Sequence, residues 1–121
     1  MKASELRAKA LARQSARKPV SAGSFEGVEY FVRPATVRER ADILKRGGIA
    51  PGAGGEAEVK DLAAFQVAAV VKLSCDAEGA ALFTDADFDA LLSETVGGIV
   101  DFLAPAATAQ INVSPTEASK N

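Results

Sequence analysis

Residues 59–92, VKDLAAFQVAAVVKLSCDAEGAALFTDADFDALL, limit more than any other stretch what this chain can fold into. Their first part supplies about four helical turns in which only Lys60, Asp61, Gln66 and Lys72 are clearly polar. A helix apolar on nearly every side has to be wrapped by the rest of its domain. Leu62, Phe65, Ala69 and Leu73 recur at i, i+3, i+7 and i+11 and are expected to form one buried stripe, with Val67, Val70 and Val71 as a second buried flank. Asp76-Ala77-Glu78-Gly79 then breaks the run, with glycine where a turn calls for positive φ. That turn is placed to join two short strands, at 73–75 and 81–83. Thr84 follows as a helix N-cap, with Asp85 and Asp87 in the first turn, where the helix dipole favours negative charge.

The remaining residues must supply the wrapping. A length of 121 residues suits one domain with a real core. Only 6% of the residues are aromatic and Trp is absent, so that core is built from Ala, Val, Leu, Ile and a few Phe. Alanine at this density favours helix. No apolar run reaches the roughly 18 residues of a membrane span, and no apolar h-region follows the N-terminal positive charges, so neither a span nor a signal peptide is expected. The single Cys75 cannot make an internal disulfide and suits a reducing compartment. The absence of histidine excludes most zinc sites and histidine-based triads. Residues 48–58, GIAPGAGGEAE, lack the Lys-Ser/Thr of a phosphate-binding loop and follow no apolar strand, so they read as a flexible surface loop. Asp85, Asp87 and Asp89 imitate the opening of a calcium loop, but its sixth position is Ala90 instead of Gly and its twelfth Val96 instead of Glu. Capping accounts better for these aspartates. No catalytic residue, cofactor or metal is expected.

Charge is unevenly spread. Residues 1–18 carry six basic side chains against Glu5, a net of +5, whereas residues 19–121 carry eight basic and fifteen acidic ones, a net of −7. A basic arm on an acidic body can hold nucleic acid or an acidic partner, or fold back on its own body. No aromatic residue is interleaved with these charges, so nucleic acid is disfavoured as the partner and a solvated helix or frayed arm is the plainer reading. Residues 3–17 have helix formers without Gly or Pro, but only Leu6 and Leu11 are large and apolar, which makes a marginal helix. Pro19 and Ser21-Ala22-Gly23-Ser24 end it.

Residues 25–33 alternate, with Val28, Tyr30 and Val32 on one side, which predicts a strand; Gly27 marks a bend that can pair Phe25 in a short hairpin. Thr36-Val37-Arg38-Glu39 matches a capping box opening a helix over 37–46 that is expected to bury Val37, Ala41 and Leu44 and to close at Gly47-Gly48. Phe88, Leu91, Leu92, Val96, Ile99, Val100, Phe102 and Leu103 form a later apolar face, read as a short helix, a break near Ser93-Glu94 and a second helix to about residue 104 or beyond, with residues 106–111 open as its extension. Pro105 is expected to end or kink it. The chain is therefore expected to be α+β: a small, mostly helical single domain over 19–111 with a short N-terminal strand or hairpin, a basic arm or marginal helix at 1–18 and a disordered tail at 112–121.

The strand FEGVEYFVRP leading into TVRER, the apolar helix ending in CDAEGAALFTDADFDAL, the amphipathic helix after it and the short polar tail ending in Lys-Asn together resemble the small tail assembly chaperones of long-tailed bacteriophages and prophages. The likeness covers about residues 25–121, and Leu82-Phe83-Thr84-Asp85-Ala86-Asp87 carries most of it. Gly97-Gly98 departs from the usually continuous last helix of that family. The resemblance implies a protein that is not an enzyme. It implies binding to the long helical tape measure protein in the host cytoplasm, self-association along that client, and absence from the mature virion. Contacts with the partner are expected on apolar side chains of the last helices, with Phe88, Leu92, Ile99 and Phe102 as candidates, against the alternative that each is plain core. Two rivals stand beside this reading: a structural head–tail or tail-completion protein of the same particle, and a nucleic-acid binder acting through the basic arm.

Overall fold

The computed structural model of the chain describes residues 1–16, 18–49 and 59–111. The elements run α1 (Ala3–Ala16), β1 (Val20–Phe25), β2 (Val28–Val32), α2 (Val37–Arg46), α3 (Leu62–Leu73), β3 (Ser74–Cys75), a 3-10 turn (Asp85–Asp87), α4 (Phe88–Leu92) and α5 (Ile99–Ala109). The architecture is α+β, five helices with a three-stranded antiparallel sheet in the order β1-β2-β3. The flexible loop expected at 48–58 lies outside the described residues except for 48 and 49, and so does the tail expected to be disordered at 112–121.

Helix α3 occupies the centre, as its composition demands. Ala69, Val70 and Leu73 are wholly buried and Val67, Ala68 and Val71 nearly so. α2, α4 and α5 pack around it, and the core joins Val32, Ile43, Ala68, Ala69, Val70 and Leu73 to Leu103, Ala104, Ala107 and Ile111. The stripe expected through Leu62 and Phe65 is corrected at its start: Leu62 is exposed and Phe65 half-buried. Both sit in the first turn and a half, before the helix enters the ring of neighbours. That start is held by Asp61, whose carboxylate accepts from the Ala64 N–H at 3.0 Å. The Gly47 carbonyl, at the end of α2, accepts from the N–H groups of Lys60 and Asp61 at 2.9 and 3.1 Å. A Cβ on Gly47 would lie 3.0 Å from the Phe65 Cβ, so glycine lets α2 end close against α3.

Helix α2 opens with the expected capping box: Thr36 Oγ1 accepts from the Glu39 N–H at 3.1 Å, and Glu39 Oε1 accepts from the Thr36 N–H at 3.0 Å. Its buried face is not the expected one. Val37 is 76% exposed, Ala41 exposed and Leu44 half-buried, while Ile43 is wholly buried. The inward face is centred on Ile43 and Gly47, a rotation that the tie from Gly47 to α3 imposes.

The strand expected at 25–33 is one half of a hairpin, with Phe25 paired to Val28 across a two-residue turn. Glu26 (φ 51°) and Gly27 (φ 80°) both take the positive φ that such tight hairpin turns need. Residues 21–24, read from sequence as a helix-ending cluster, lie instead inside β1. The ladder slips by one residue between Ser21 and Gly23, and Gly23 at φ 101° supplies the bulge. Pairing with β2 overrides the weak strand propensity of these small residues.

Of the two strands expected around the Asp76 turn, β3 is only two residues long and the second shrinks to one bridge, Cys75 to Ala81. The Asp76 carboxylate accepts from the N–H groups of Glu78 and Ala80, both at 2.9 Å, which closes the turn before a longer ladder can form. The break between the last helices falls where expected, and of the two outcomes open at Pro105 the structure takes the extension: α5 runs through it to Ala109. Burial of Leu103, Ala104 and Ala107 on one face offsets the hydrogen bond that proline removes. No helix among the described residues is long and apolar enough to cross a membrane.

Candidate partner-binding surface

The hairpin and the α4–α5 corner meet at an aromatic cluster. Phe25 and Phe102 have ring centroids 5.2 Å apart, and Tyr30 meets Phe102 edge-on at 6.2 Å. Gly23 brings β1 in close, since a Cβ there would lie 3.6 Å from the Phe102 ring. Above this cluster an open groove of about 550 Å³ is lined by Phe25, Tyr30, Leu82, Phe83 and Ile99, with Glu26 and Glu94 among its other walls.

Two carboxylates hold the α4–α5 connection, and of them Glu94 lines the groove. Glu94 Oε1 accepts from the Ile99 N–H at 2.7 Å and Asp101 Oδ2 from the Gly97 N–H at 2.6 Å, so the start of α5 is satisfied by side chains on both flanks. A Cβ on Gly98 would sit 1.9 Å from Glu94 Oε1 and displace that cap. Gly97 holds φ 90°. The Gly97-Gly98 pair that interrupts the apolar run therefore exists to turn the chain between α4 and α5 while leaving room for the cap.

The four candidates from sequence separate. Ile99 lines the groove, whereas Phe102 does not and is instead packed against two groove residues, Phe25 and Tyr30. Phe88 belongs elsewhere: it is half-buried against the core, and the Arg46 guanidinium sits 4.2 Å above its ring, joining the end of α2 to α4. Leu92 is 42% exposed at the end of α4 and is absent from the groove lining. Sequence reasoning missed Phe25, Tyr30, Leu82 and Phe83 as parts of the same surface. Tyr30 carried a signal, since strand alternation placed it on the face of the buried Val32. Around the groove Leu82 is exposed and Val96 is 90% exposed on the α4–α5 connection. From residue 73 to 111 the chain has seven acidic side chains and no basic one.

A second opening, about 740 Å³, lies at the other end of the hairpin between Pro19, Pro34, Val37, Arg38 and Glu78, with Arg33 in its wall. Arg33 is fully engaged there. Its guanidinium donates through both Nη atoms to Glu39, at 2.8 Å to Oε1, and through Nη2 to the Lys72 carbonyl at 2.8 Å, tying β2, α2 and α3 together. Burial pushes the Glu39 carboxyl up, but the hydrogen bonds from Arg33 and Thr36 and the charge of Arg33 outweigh it and hold the group below the usual carboxylate range. The hydrogen bond to Glu39 raises Arg33 against the opposing effect of burial. Burial pushes the Cys75 thiol up, with Arg33 opposing and Asp76 adding, which disfavours the nucleophilic thiolate. Asp85 lies 3.3 Å from the Lys72 ammonium and Asp87 accepts from the Thr84 N–H at 2.9 Å, so two of the three alternating aspartates serve the local fold. Among the described residues no group of three or more His, Cys, Asp or Glu side chains is placed to hold a metal ion. No protein-family model matches the chain, and neither a curated protein nor a solved structure matches it.

Proposed function

We propose that this chain is a tail assembly chaperone of a long-tailed bacteriophage or prophage. It binds the long helical tape measure protein in the host cytoplasm, keeps it dispersed while the tail tube forms, and leaves before the virion matures. The observation that carries this reading is the open apolar groove at the α4–α5 corner, with Phe25, Tyr30, Phe83 and Ile99 in its walls and the exposed Leu82 at its edge. An elongated helical client has apolar stripes that aggregate when exposed. A groove of this kind takes such a stripe in the way grooves elsewhere take amphipathic helices. The second support is the resemblance itself, which is densest at residues 82–87, where the Thr84–Asp87 cap leads into α4 and fixes the groove wall at Leu82 and Phe83. Leu92 and Val96 extend the apolar surface beyond the groove.

The test is co-expression with the longest reading frame just downstream, followed by the mass of the complex in solution. A long protein that precipitates alone and stays in solution with many copies of this chain attached supports the reading. Failure of the two to associate, or recovery of this chain from purified virions at stoichiometric levels, overturns it.

A further inference from the structure

The groove at the α4–α5 corner has a charge preference as well as apolar walls. Glu26 at the hairpin turn and Glu94 on the α4–α5 connection line it together with Phe25, Tyr30, Leu82, Phe83 and Ile99, and no basic side chain lines it among the described residues. Neither carboxylate is neutralised. Glu26 is exposed and has no ion pair among the described residues, while Glu94 gives Oε1 to the Ile99 N–H and leaves its other oxygen without a partner there. Asp101 brings a third carboxylate close, through its bond to the groove-lining Gly97. Neighbouring sequence supplies no counter-charge, since residues 73–111 carry seven acidic side chains and no basic one.

We propose that the groove selects helices of another protein whose apolar stripe is edged by lysine and arginine. The inference deepens the client reading and rests on it: the client segments that dock are those where apolar residues at i, i+3 or i+4 and i+7 carry basic residues on their flanks. The stripe enters between Phe25, Leu82 and Ile99, and the flanking cations meet Glu26 and the free oxygen of Glu94. Lysine and arginine suit this place because their apolar stems lie along the walls while the charge reaches the rim. Rim charges decide which helix is taken more than how tightly it is held, and an equally apolar stripe edged with carboxylates is turned away. Helix α1 is basic but is not such a helix, whether from the same chain or from another copy. Its only large apolar residues, Leu6 and Leu11, lie about 140° apart around the helix and form no stripe. Every described side chain from Met1 to Arg13 is exposed.

The test uses the full-length chain and two labelled peptides of about 15 residues, long enough to form helix. Both carry the same leucine stripe, and they differ only in having Lys or Glu on its flanks. Affinity is read by fluorescence anisotropy at low and high salt. Groove binding is the part that Leu82→Ser removes, which separates it from attraction of the Glu-flanked peptide to the basic arm. In the groove the Lys-flanked peptide is expected to bind about tenfold tighter than the other at low salt, a preference that shrinks as salt is added. Glu26→Gln and Glu94→Gln, the second of which keeps an oxygen for the Ile99 cap, are each expected to weaken the Lys-flanked peptide about two- to fivefold and to spare the other. Equal groove affinity for the two peptides overturns the proposal, as does binding of the Lys-flanked peptide that Leu82→Ser leaves unchanged. Tighter binding of that peptide by Leu6→Ser/Leu11→Ser, which keeps the charge of the arm, would make α1 the occupant and overturns it too. The client reading fails separately. A downstream protein kept in solution while both peptides bind the groove alike sinks this inference alone, whereas discrimination between the peptides with no downstream protein bound sinks the client and leaves the charge preference standing.

Discussion

Helices α1 and α3 are near-equals in length, fourteen and twelve residues, and both are rich in alanine, yet one is exposed all along its described side chains and the other is the most buried helix of the fold. Alanine explains why each is a helix, since it gives up little entropy in that conformation. It does not explain where either goes. The difference lies between the alanines: Val67, Val70, Val71 and Leu73 in α3, against Arg7, Lys9 and Arg13 in α1. Propensity makes the rod, and the residues spaced between the alanines decide whether it is core or arm.

The same substitution in the two helices gives the sharpest contrast. Proline at Ala68 removes a hydrogen bond from the centre of α3 and drives a ring into a position that is only 3% exposed. The backbone effect alone costs about 3 kcal/mol or more, and lost packing adds to it. Ala68→Pro is therefore expected to lose the cooperative unfolding transition followed by far-UV circular dichroism in urea. A variant that still unfolds cooperatively near the wild-type midpoint would remove α3 from the centre of the fold.

The Arg33–Glu39 pair, which fastens the sheet to α2 and the end of α3, gives the next largest effect. Arg33→Met removes the donor to the Lys72 carbonyl and leaves a partly buried Glu39 carboxylate with only the Thr36 N–H, and is expected to cost about 1.5–3 kcal/mol in urea unfolding. Its pH dependence has a definite sign. Glu39 is held below its ordinary value in the folded chain, so its contribution is fully present above the unfolded pKa of about 4.3 and is lost as pH falls through the lower folded value. Glu39→Gln is expected to flatten the stability profile in that acidic window, and an unchanged slope would refute the assignment.

Local chemistry was legible in the sequence, and tertiary rotation was not. The Thr36–Glu39 box, the bend at Gly27, the cap before α4 and the break after Leu92 all involve residues within five positions of each other, where spacing and residue type settle the geometry. The burial of α3 was legible because almost no face of it is polar. By contrast, α2 has apolar residues on several sides, and the contact of Gly47 with Phe65 chose the face that turns inward. Residues 21–24 became strand only because β2 lies beside them. The groove joins Phe25 and Tyr30 to Leu82, Phe83 and Ile99, distant in sequence, so a reading confined to the last helices reached only Ile99 of its apolar walls.

Ser74 tests the same division on a smaller scale. Its hydroxyl is wholly buried in β3 and has no hydrogen-bond partner among the described residues. Replacing an unsatisfied buried hydroxyl by a methyl hydrogen removes a desolvation cost and leaves only a small void. Ser74→Ala is expected to be neutral or to stabilise the domain by up to about 1 kcal/mol. A loss larger than that in the same urea titration would mean that the hydroxyl does have a partner.

Ala8→Pro completes the pair begun with Ala68. Ala8 is exposed at the middle of α1, so proline there breaks a helix against which the core does not lean. Far-UV dichroism is expected to lose part of the signal of those fourteen residues, while the urea midpoint stays within about 0.5 kcal/mol of the wild type. The two readouts separate the roles that a single stability measurement would confuse. A shifted midpoint would show α1 to be part of the cooperative unit, and its leucines would then have a place on their own domain. An unshifted midpoint would place that helix outside the cooperative unit of its own domain, as its exposed leucines indicate.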